Sequence, residues 1–77
     1  MATITGTGEA NRLNGTALSD FIRGLDGADT IWGNDGNDRV YGNDDDDLIY
    51  GGSGNDLIVG GKGEDRMYGG LGDDVLT

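Results

Sequence analysis

Three consecutive nine-residue segments decide the fold of this chain: GGSGNDLIV (Gly51–Val59), GGKGEDRMY (Gly60–Tyr68) and GGLGDDVLT (Gly69–Thr77). Five further units precede them in the same frame, namely GTGEANRLN, GTALSDFIR, GLDGADTIW, GNDGNDRVY and GNDDDDLIY, so that eight units run without insertion from Gly6. Position one is always Gly, position eight is always apolar, and position six is Asp in every unit except the first, which has Asn11. A period sustained along the whole chain predicts a solenoid, in which each unit packs on its neighbours.

Each unit divides into a loop and a short strand. Positions one to six are rich in Gly, Asn and Asp, which favour tight turns, whereas positions seven to nine are β-prone, as in Leu57-Ile58-Val59. Because side chains alternate along a strand, the apolar residue at position eight faces inward and its two neighbours face outward. Glycine at every ninth position excludes helix. The sequence therefore predicts an all-β solenoid of two short-stranded parallel sheets, one from units 1, 3, 5 and 7 and one from units 2, 4, 6 and 8, in about four coils of 18 residues.

The composition narrows the possible functions. The chain has 15 acidic and five basic residues, a net charge of −10, and no His, Cys or Pro. This charge argues against binding to nucleic acid or to an anionic membrane, and the missing His and Cys argue against a conventional zinc site. No nucleophile-and-base pair is present, so we expect no enzymatic activity from this chain. No apolar run reaches transmembrane length, and no signal peptide is apparent.

Stacking of the units predicts two columns of acidic residues. Asn11, Asp29, Asp47 and Asp65 align on one edge of the solenoid, and Asp20, Asp38, Asp56 and Asp74 align on the other. Carboxylates and turn carbonyls held together form an all-oxygen environment, which suits calcium better than magnesium because calcium accepts irregular coordination. A small core with this much negative charge also needs a cation in order to fold.

The number of loops limits the number of ions. Eight loops form three stacked pairs on each edge, which allows at most six sites, and the pair containing Asn11 is the poorest. We therefore predict about five calcium ions, whose charge would offset the net charge of −10.

The unit G-G-x-G-x-D-x-U-x, where U is a large apolar residue, resembles the RTX family of hemolysin-type calcium-binding repeats. The resemblance extends from Gly6 to Thr77, and the last three units match at every defined position. It implies a right-handed parallel β-roll that folds on calcium binding and belongs to an extracellular protein exported by type I secretion. The side-chain ligands that it implies are Asp20, Asp29, Asp38, Asp47, Asp56, Asp65 and Asp74. The implied contributors of backbone carbonyls are Gly33, Gly36, Gly42, Gly51, Gly52, Gly54, Gly60, Gly61, Gly63, Gly69, Gly70 and Gly72.

Departures from the motif suggest a division of the chain. Residues 1–5 are a partial repeat or an N-terminal extension, because Ile4 continues the apolar column. Residues 6–77 form the β-roll, with 6–23 degenerate and 24–77 metal-binding, since the first two units lack Gly at position four. Asp45 also replaces that Gly, but Asp tolerates the left-handed backbone region. In the run Asp44 to Asp47 we expect the last residue to bind metal and the other three to form a solvated loop.

The outward positions carry two apolar patterns. Trp32, Tyr50 and Tyr68 should form an aromatic ladder on one sheet, which either stabilises the sheet across its strands, the interpretation we favour, or stacks against sugar rings. The second interpretation makes the chain a carbohydrate-binding accessory module of a secreted polysaccharide-modifying enzyme. On the other sheet Leu57, Val59 and Val75 form an apolar cluster. It could contact an adjoining domain or a second copy, and the uncapped ends could self-associate, as expected for a fragment of a larger secreted protein.

Overall fold

The chain forms nine short strands in a computed structural model that describes residues 2–77. They are β1 (Thr3–Thr5), β2 (Arg12–Asn14), β3 (Phe21–Arg23), β4 (Thr30–Trp32), β5 (Arg39–Tyr41), β6 (Leu48–Tyr50), β7 (Leu57–Val59), β8 (Arg66–Tyr68) and β9 (Val75–Leu76). Met1, the first residue of the predicted segment 1–5, lies outside the described residues. Nothing in residues 2–77 forms a helix that is long and apolar enough to cross a membrane.

The strands alternate between two parallel sheets. One sheet has the order β1-β3-β5-β7-β9 and the other has the order β2-β4-β6-β8. Every pair is in a register of 18 residues, as in Ile31 opposite Ile49. Directly after each strand, the backbone N–H of the position-one glycine donates to a carbonyl of the next coil. The Gly33 N–H, for example, donates to the Tyr50 carbonyl at 2.7 Å. The predicted all-β solenoid, with two parallel sheets and about four coils of 18 residues, is confirmed.

The core is a single file of position-eight side chains between the two sheets. Ile22, Ile31, Val40, Ile49 and Ile58 are completely buried, and Ile4, Leu13 and Met67 pack against them with partial exposure. The molecule measures 28 × 21 × 12 Å, so its thinnest dimension matches two sheets packed face to face. With one buried apolar residue per unit, this core is small relative to the loops that it supports.

The outer faces of the sheets carry stacked aromatic rings. Tyr50 stacks on Trp32 with ring centroids 6.2 Å apart and on Tyr68 with centroids 5.2 Å apart, at interplanar angles of 8° and 12°. The stacking stabilises neighbouring strands, and Tyr50 has a ring on each of its faces. On the other sheet Leu57 and Val59 are partly buried, whereas Val75 is 60% exposed.

Candidate metal centres in the stacked loops

The position-six carboxylates form a hydrogen-bonded ladder along each edge. The five from Asp20 to Asp56 are at most 2% exposed, whereas Asp65 and Asp74 are only partly buried. In each pair of stacked loops, Oδ1 of the later residue accepts the backbone N–H of the residue 18 positions earlier. Asp38 accepts from Asp20 at 2.9 Å, and Asp56 accepts from Asp38 at 2.8 Å. The structure thus brings the seven predicted aspartates into two columns, with Asn11 at the start of one of them.

Four of these carboxylates retain a buried oxygen without a partner. Oδ2 of Asp29, Asp38, Asp47 and Asp56 is inaccessible to solvent and has no hydrogen bond. Burial, with a smaller contribution from neighbouring carboxylates, raises the pKa of Asp38 and of Asp47 to about 7. Burial likewise raises the pKa of Asp29 and of Asp56. An ionised carboxylate in such a position requires a positive partner.

Position-one glycine leaves room for that partner. A Cβ added at Gly33 would lie 2.6 Å from Asp38 Oδ2 and 2.7 Å from the Gly51 carbonyl oxygen of the next coil. The orphaned carboxylate oxygen and a carbonyl oxygen therefore converge on a point that any other residue would fill. The same arrangement occurs at Gly24, Gly42 and Gly51.

Further carbonyl oxygens line the gap between stacked loops. The Gly36 carbonyl lies against Gly54, and the Asn34 carbonyl lies against Gly52. Within residues 2–77 no backbone N–H donates to the carbonyl of Gly33, Asn34 or Gly36, so these oxygens are free to coordinate. Of the predicted glycines, those whose carbonyl lies against a stacked loop are Gly33, Gly36, Gly42, Gly51, Gly52, Gly54, Gly60 and Gly69. The other four, Gly61, Gly63, Gly70 and Gly72, pack against carbonyls of the preceding coil.

Residues other than glycine also shape these loops, and the sequence prediction omitted most of them. Asn34 and Asn43 occupy position two with φ of 68° and 71°, and Asp45 occupies position four with φ of 69°, as its tolerance of this region predicted. The carbonyls of all three lie against the next loop on their edge. The signal available in the sequence was that position two is Asn or Gly in units 4 to 8, because both residues accept positive φ.

A second polar ladder runs along position five. Asn55 Oδ1 accepts from the Asp73 N–H at 2.9 Å, and Asn37 Oδ1 accepts from the Asn55 N–H at 2.7 Å. This ladder was not predicted, because a surface polar residue in a loop gives no sign of its partner.

Asp44, Asp45 and Asp46 are exposed, as expected for a solvated loop, but two of them also bind backbone groups of stacked loops. Asp45 accepts from the Gly27 N–H at 2.8 Å, and Asp46 accepts from the Glu64 N–H at 2.7 Å. Stacking brings unpaired loop N–H groups within reach of these carboxylates, which therefore bind backbone as well as water.

The donor set fits a hard cation with irregular coordination. Among residues 2–77 no three carboxylates converge on one point, so each site would combine carboxylate oxygen with neutral backbone carbonyls. Calcium accepts six to eight such oxygen ligands, whereas magnesium demands a regular octahedron.

The family model of the RTX calcium-binding nonapeptide repeat matches residues 5–40, 14–49 and 41–76, which together span almost the entire chain. This chain belongs to the RTX calcium-binding repeat family. No curated protein and no solved structure shows a significant match to it. The RTX match and the oxygen-lined loops together support a calcium-binding structural module.

Proposed function

We propose that this RTX module folds when calcium binds and that it serves an extracellular protein as a calcium-dependent structural unit. The observation that carries the proposal is the set of four buried carboxylate oxygens without partners, in Asp29, Asp38, Asp47 and Asp56. No donor within residues 2–77 forms a hydrogen bond with these oxygens. Its folded state is therefore incomplete without a cation.

The size of the core explains why binding and folding should form one equilibrium. Five fully buried apolar side chains are few for a chain of 77 residues that carries a net charge of −10. The unfolded chain does not hold carboxylates and carbonyls in place, so the free energy of calcium binding contributes directly to folding. Several loops must stack before any site is complete, which makes the transition steep in calcium concentration.

The location of the protein follows as part of the same proposal. Extracellular calcium modules work at roughly 0.1–1 mM calcium, far above cytoplasmic concentrations. Membership of the RTX family supports export by type I secretion in an unfolded, calcium-free form, followed by folding outside the cell. We further propose that the chain itself is not an enzyme, and that any catalytic activity belongs to other domains of a larger protein.

The remaining partner predictions have unequal support. The aromatic ladder does not favour carbohydrate binding, because Tyr50 has both ring faces covered by its neighbours. Contact with an adjoining domain or a second copy stays a prediction. The exposed side chains of Leu71, Val75 and Leu76 are the feature that supports it.

A calcium titration of the chelator-treated chain tests the proposed function. We expect far-ultraviolet circular dichroism to change from a disordered to a β-type spectrum. The fluorescence of Trp32, the only tryptophan, should change at the same calcium concentrations because it stacks on Tyr50 only in the folded state. Equal concentrations of magnesium are the control and should have little effect. A chain that is equally folded in chelator, or indifferent to calcium, would contradict the proposal.

A further inference from the structure

The eight loops have two different conformations. In units 3–8 the residues at positions two and four all have positive φ, with Leu25, Asn34, Asn43, Gly52, Gly61 and Gly70 at position two and Gly27, Gly36, Asp45, Gly54, Gly63 and Gly72 at position four. In units 1 and 2 neither position has positive φ. There position two is threonine, Thr7 in unit 1 and Thr16 in unit 2.

Each of these threonines binds the position-six side chain of its own loop. The Thr16 N–H donates to Asp20 Oδ2 at 2.6 Å, and its hydroxyl donates to Asp20 Oδ1 at 2.9 Å. The same hydroxyl accepts the Leu18 N–H at 3.1 Å. In unit 1 the Thr7 N–H and hydroxyl donate to Asn11 Oδ1 at 2.8 and 3.1 Å. These two loops thus close on themselves through side-chain hydrogen bonds.

In unit 2 this closure gives the position-six carboxylate, Asp20, hydrogen-bond donors that Asp38 lacks. Asp20 is as buried as Asp38 and lies in the same kind of glycine cradle, beside Gly15. Both oxygens of Asp20 nevertheless have donors, since Oδ1 also accepts the Ala2 N–H at 3.0 Å. Asp38 Oδ2 has none. Although burial acts to raise the pKa of Asp20, the hydrogen bonds from Thr16 and Ala2 outweigh it and lower the pKa.

The distribution of orphaned oxygens matches the distribution of loop conformations. Asp29 and Asp47 face the Gly42 and Gly60 carbonyls of the following loops on one edge, and Asp38 and Asp56 face those of Gly51 and Gly69 on the other. Each of these four gaps lies between two loops of the positive-φ type. The two gaps bounded by a threonine loop contain no buried, unpartnered side-chain oxygen among the described residues.

We propose that threonine takes the place of the cation in the first two loops, so that units 1 and 2 form a metal-independent end of the β-roll and calcium occupies four gaps. The four sites are those between units 3 and 5, 5 and 7, 4 and 6, and 6 and 8. The inference rests on the proposed calcium-binding function. It removes Asp20 from the predicted ligands and replaces the predicted count of about five ions with four.

The number of ions bound to the wild-type chain is the first test. Equilibrium dialysis at saturating calcium, followed by elemental analysis, should find four ions per chain. Five or six ions would overturn the inference while leaving the calcium-binding function intact. A chain that binds no calcium would instead contradict the proposed function.

A matched pair of substitutions at equivalent positions on the same edge provides the second test. Asp20→Asn should still bind four ions, because Asp20 already has donors on both oxygens. Asp38→Asn should bind three, because it alters an orphaned oxygen that faces a gap. Circular dichroism at saturating calcium establishes that each variant is folded. If Asp38→Asn does not fold, the ion count of Asp20→Asn alone tests the inference. Loss of an ion from Asp20→Asn would overturn the inference, and retention of four ions would support it.

A third variant should create a site. Thr16→Asn combined with Leu18→Gly changes loop 2 from GTALSD to GNAGSD, which resembles the GNDGND loop of unit 4. The double substitution removes the hydroxyl and permits positive φ at positions two and four, the conformation in which the position-two N–H of unit 4 leaves Asp38 Oδ2 without a donor. Asp20 Oδ2 would then lose its donors, and the bound count should rise to five. Thr16→Ser, which keeps the hydroxyl and leaves Leu18 in place, should leave the count at four. A folded double variant that still binds four ions would contradict the assignment of Thr16 as the closing group.

Discussion

At the scale of single residues, identical side chains in one column have opposite electrostatic environments. Asp20 and Asp38 are both buried, yet hydrogen bonds lower the pKa of the first and burial raises the pKa of the second to about 7. The number of donors that the loop provides decides the difference. A carboxylate column in a repeat protein is therefore not a uniform set of ligands.

These raised pKa values predict that acid stabilises the calcium-free fold. Asp38 and Asp47 have pKa values of about 7 when folded, against an ordinary value of 3.8. Well below pH 3.8 the carboxylates are protonated in both states, so they impose no penalty on folding. As pH rises from about 4 to about 7, only the unfolded chain loses these protons readily, and stability falls. Circular dichroism of the calcium-free chain should show less β-structure at pH 7 than near pH 4.

Calcium should reverse the sign of this dependence. Protons compete with calcium for the same carboxylates, so at a fixed subsaturating calcium concentration the folded fraction should rise with pH. A calcium-free chain whose folded fraction increases between pH 4 and pH 7 would show that the buried carboxylates do not control stability.

At the scale of the element, the loop conformation determines whether two coils can approach each other. Gly63 at position four of unit 7 has φ of 99°, and a Cβ there would lie 2.6 Å from the Asp45 carbonyl oxygen. Both the backbone angle and the close approach require glycine. The strands are short and regular, whereas the loops carry the geometric constraints of the fold.

Replacing Gly63 with alanine should therefore destabilise the stack on that edge. An alanine in the left-handed region costs about 1–2 kcal/mol, and the contact with Asp45 adds to that cost. We expect the calcium concentration at the folding midpoint to rise in Gly63→Ala, as measured by circular dichroism. Gly8→Ala is the matched control, because a Cβ at Gly8 meets nothing within 4 Å. Equal midpoints for the two variants would argue against close loop packing.

At the scale of the whole molecule, the fold is a one-dimensional stack in which a residue's importance depends on its position along the axis. Ile49 lies in the interior of the core file and is fully buried, whereas Leu76 occupies the same position of its unit and is 41% exposed. Each unit is stabilised mainly by its neighbours on both sides.

Because burial depends on position along the axis, truncating the position-eight side chain should lower the free energy of unfolding by different amounts in different units. Ile49→Ala should lower the free energy of unfolding by about 2–5 kcal/mol, because it leaves a cavity between the sheets. Leu76→Ala should cost much less, since its side chain is already partly hydrated. Denaturant unfolding at saturating calcium measures both values. Similar losses in the two variants would contradict a core confined to the interior coils.

The sequence by itself determined the repeating architecture of this protein. Gly at position one, Asp at position six and an apolar residue at position eight were sufficient to predict loops, strands, inward faces and the alternation between two sheets. These features are local and repeat every nine residues, so a departure in one unit, such as Asp45, does not obscure the pattern. The aligned carboxylate columns followed from the same period.

Only the tertiary structure decided which carboxylates keep a buried oxygen without a partner. The last three units match the repeat motif best, yet Asp65 and Asp74 are only partly buried, whereas Asp38 is buried and has an orphaned oxygen. The reason is that a site is completed by the loop two units further along, not by the motif of its own unit. Thr16 likewise reads as a small departure in the sequence, and only its contacts with Asp20 show that it closes the loop. The positions of the oxygen atoms depend on contacts between residues 18 apart in the sequence, and a nine-residue motif does not specify those contacts.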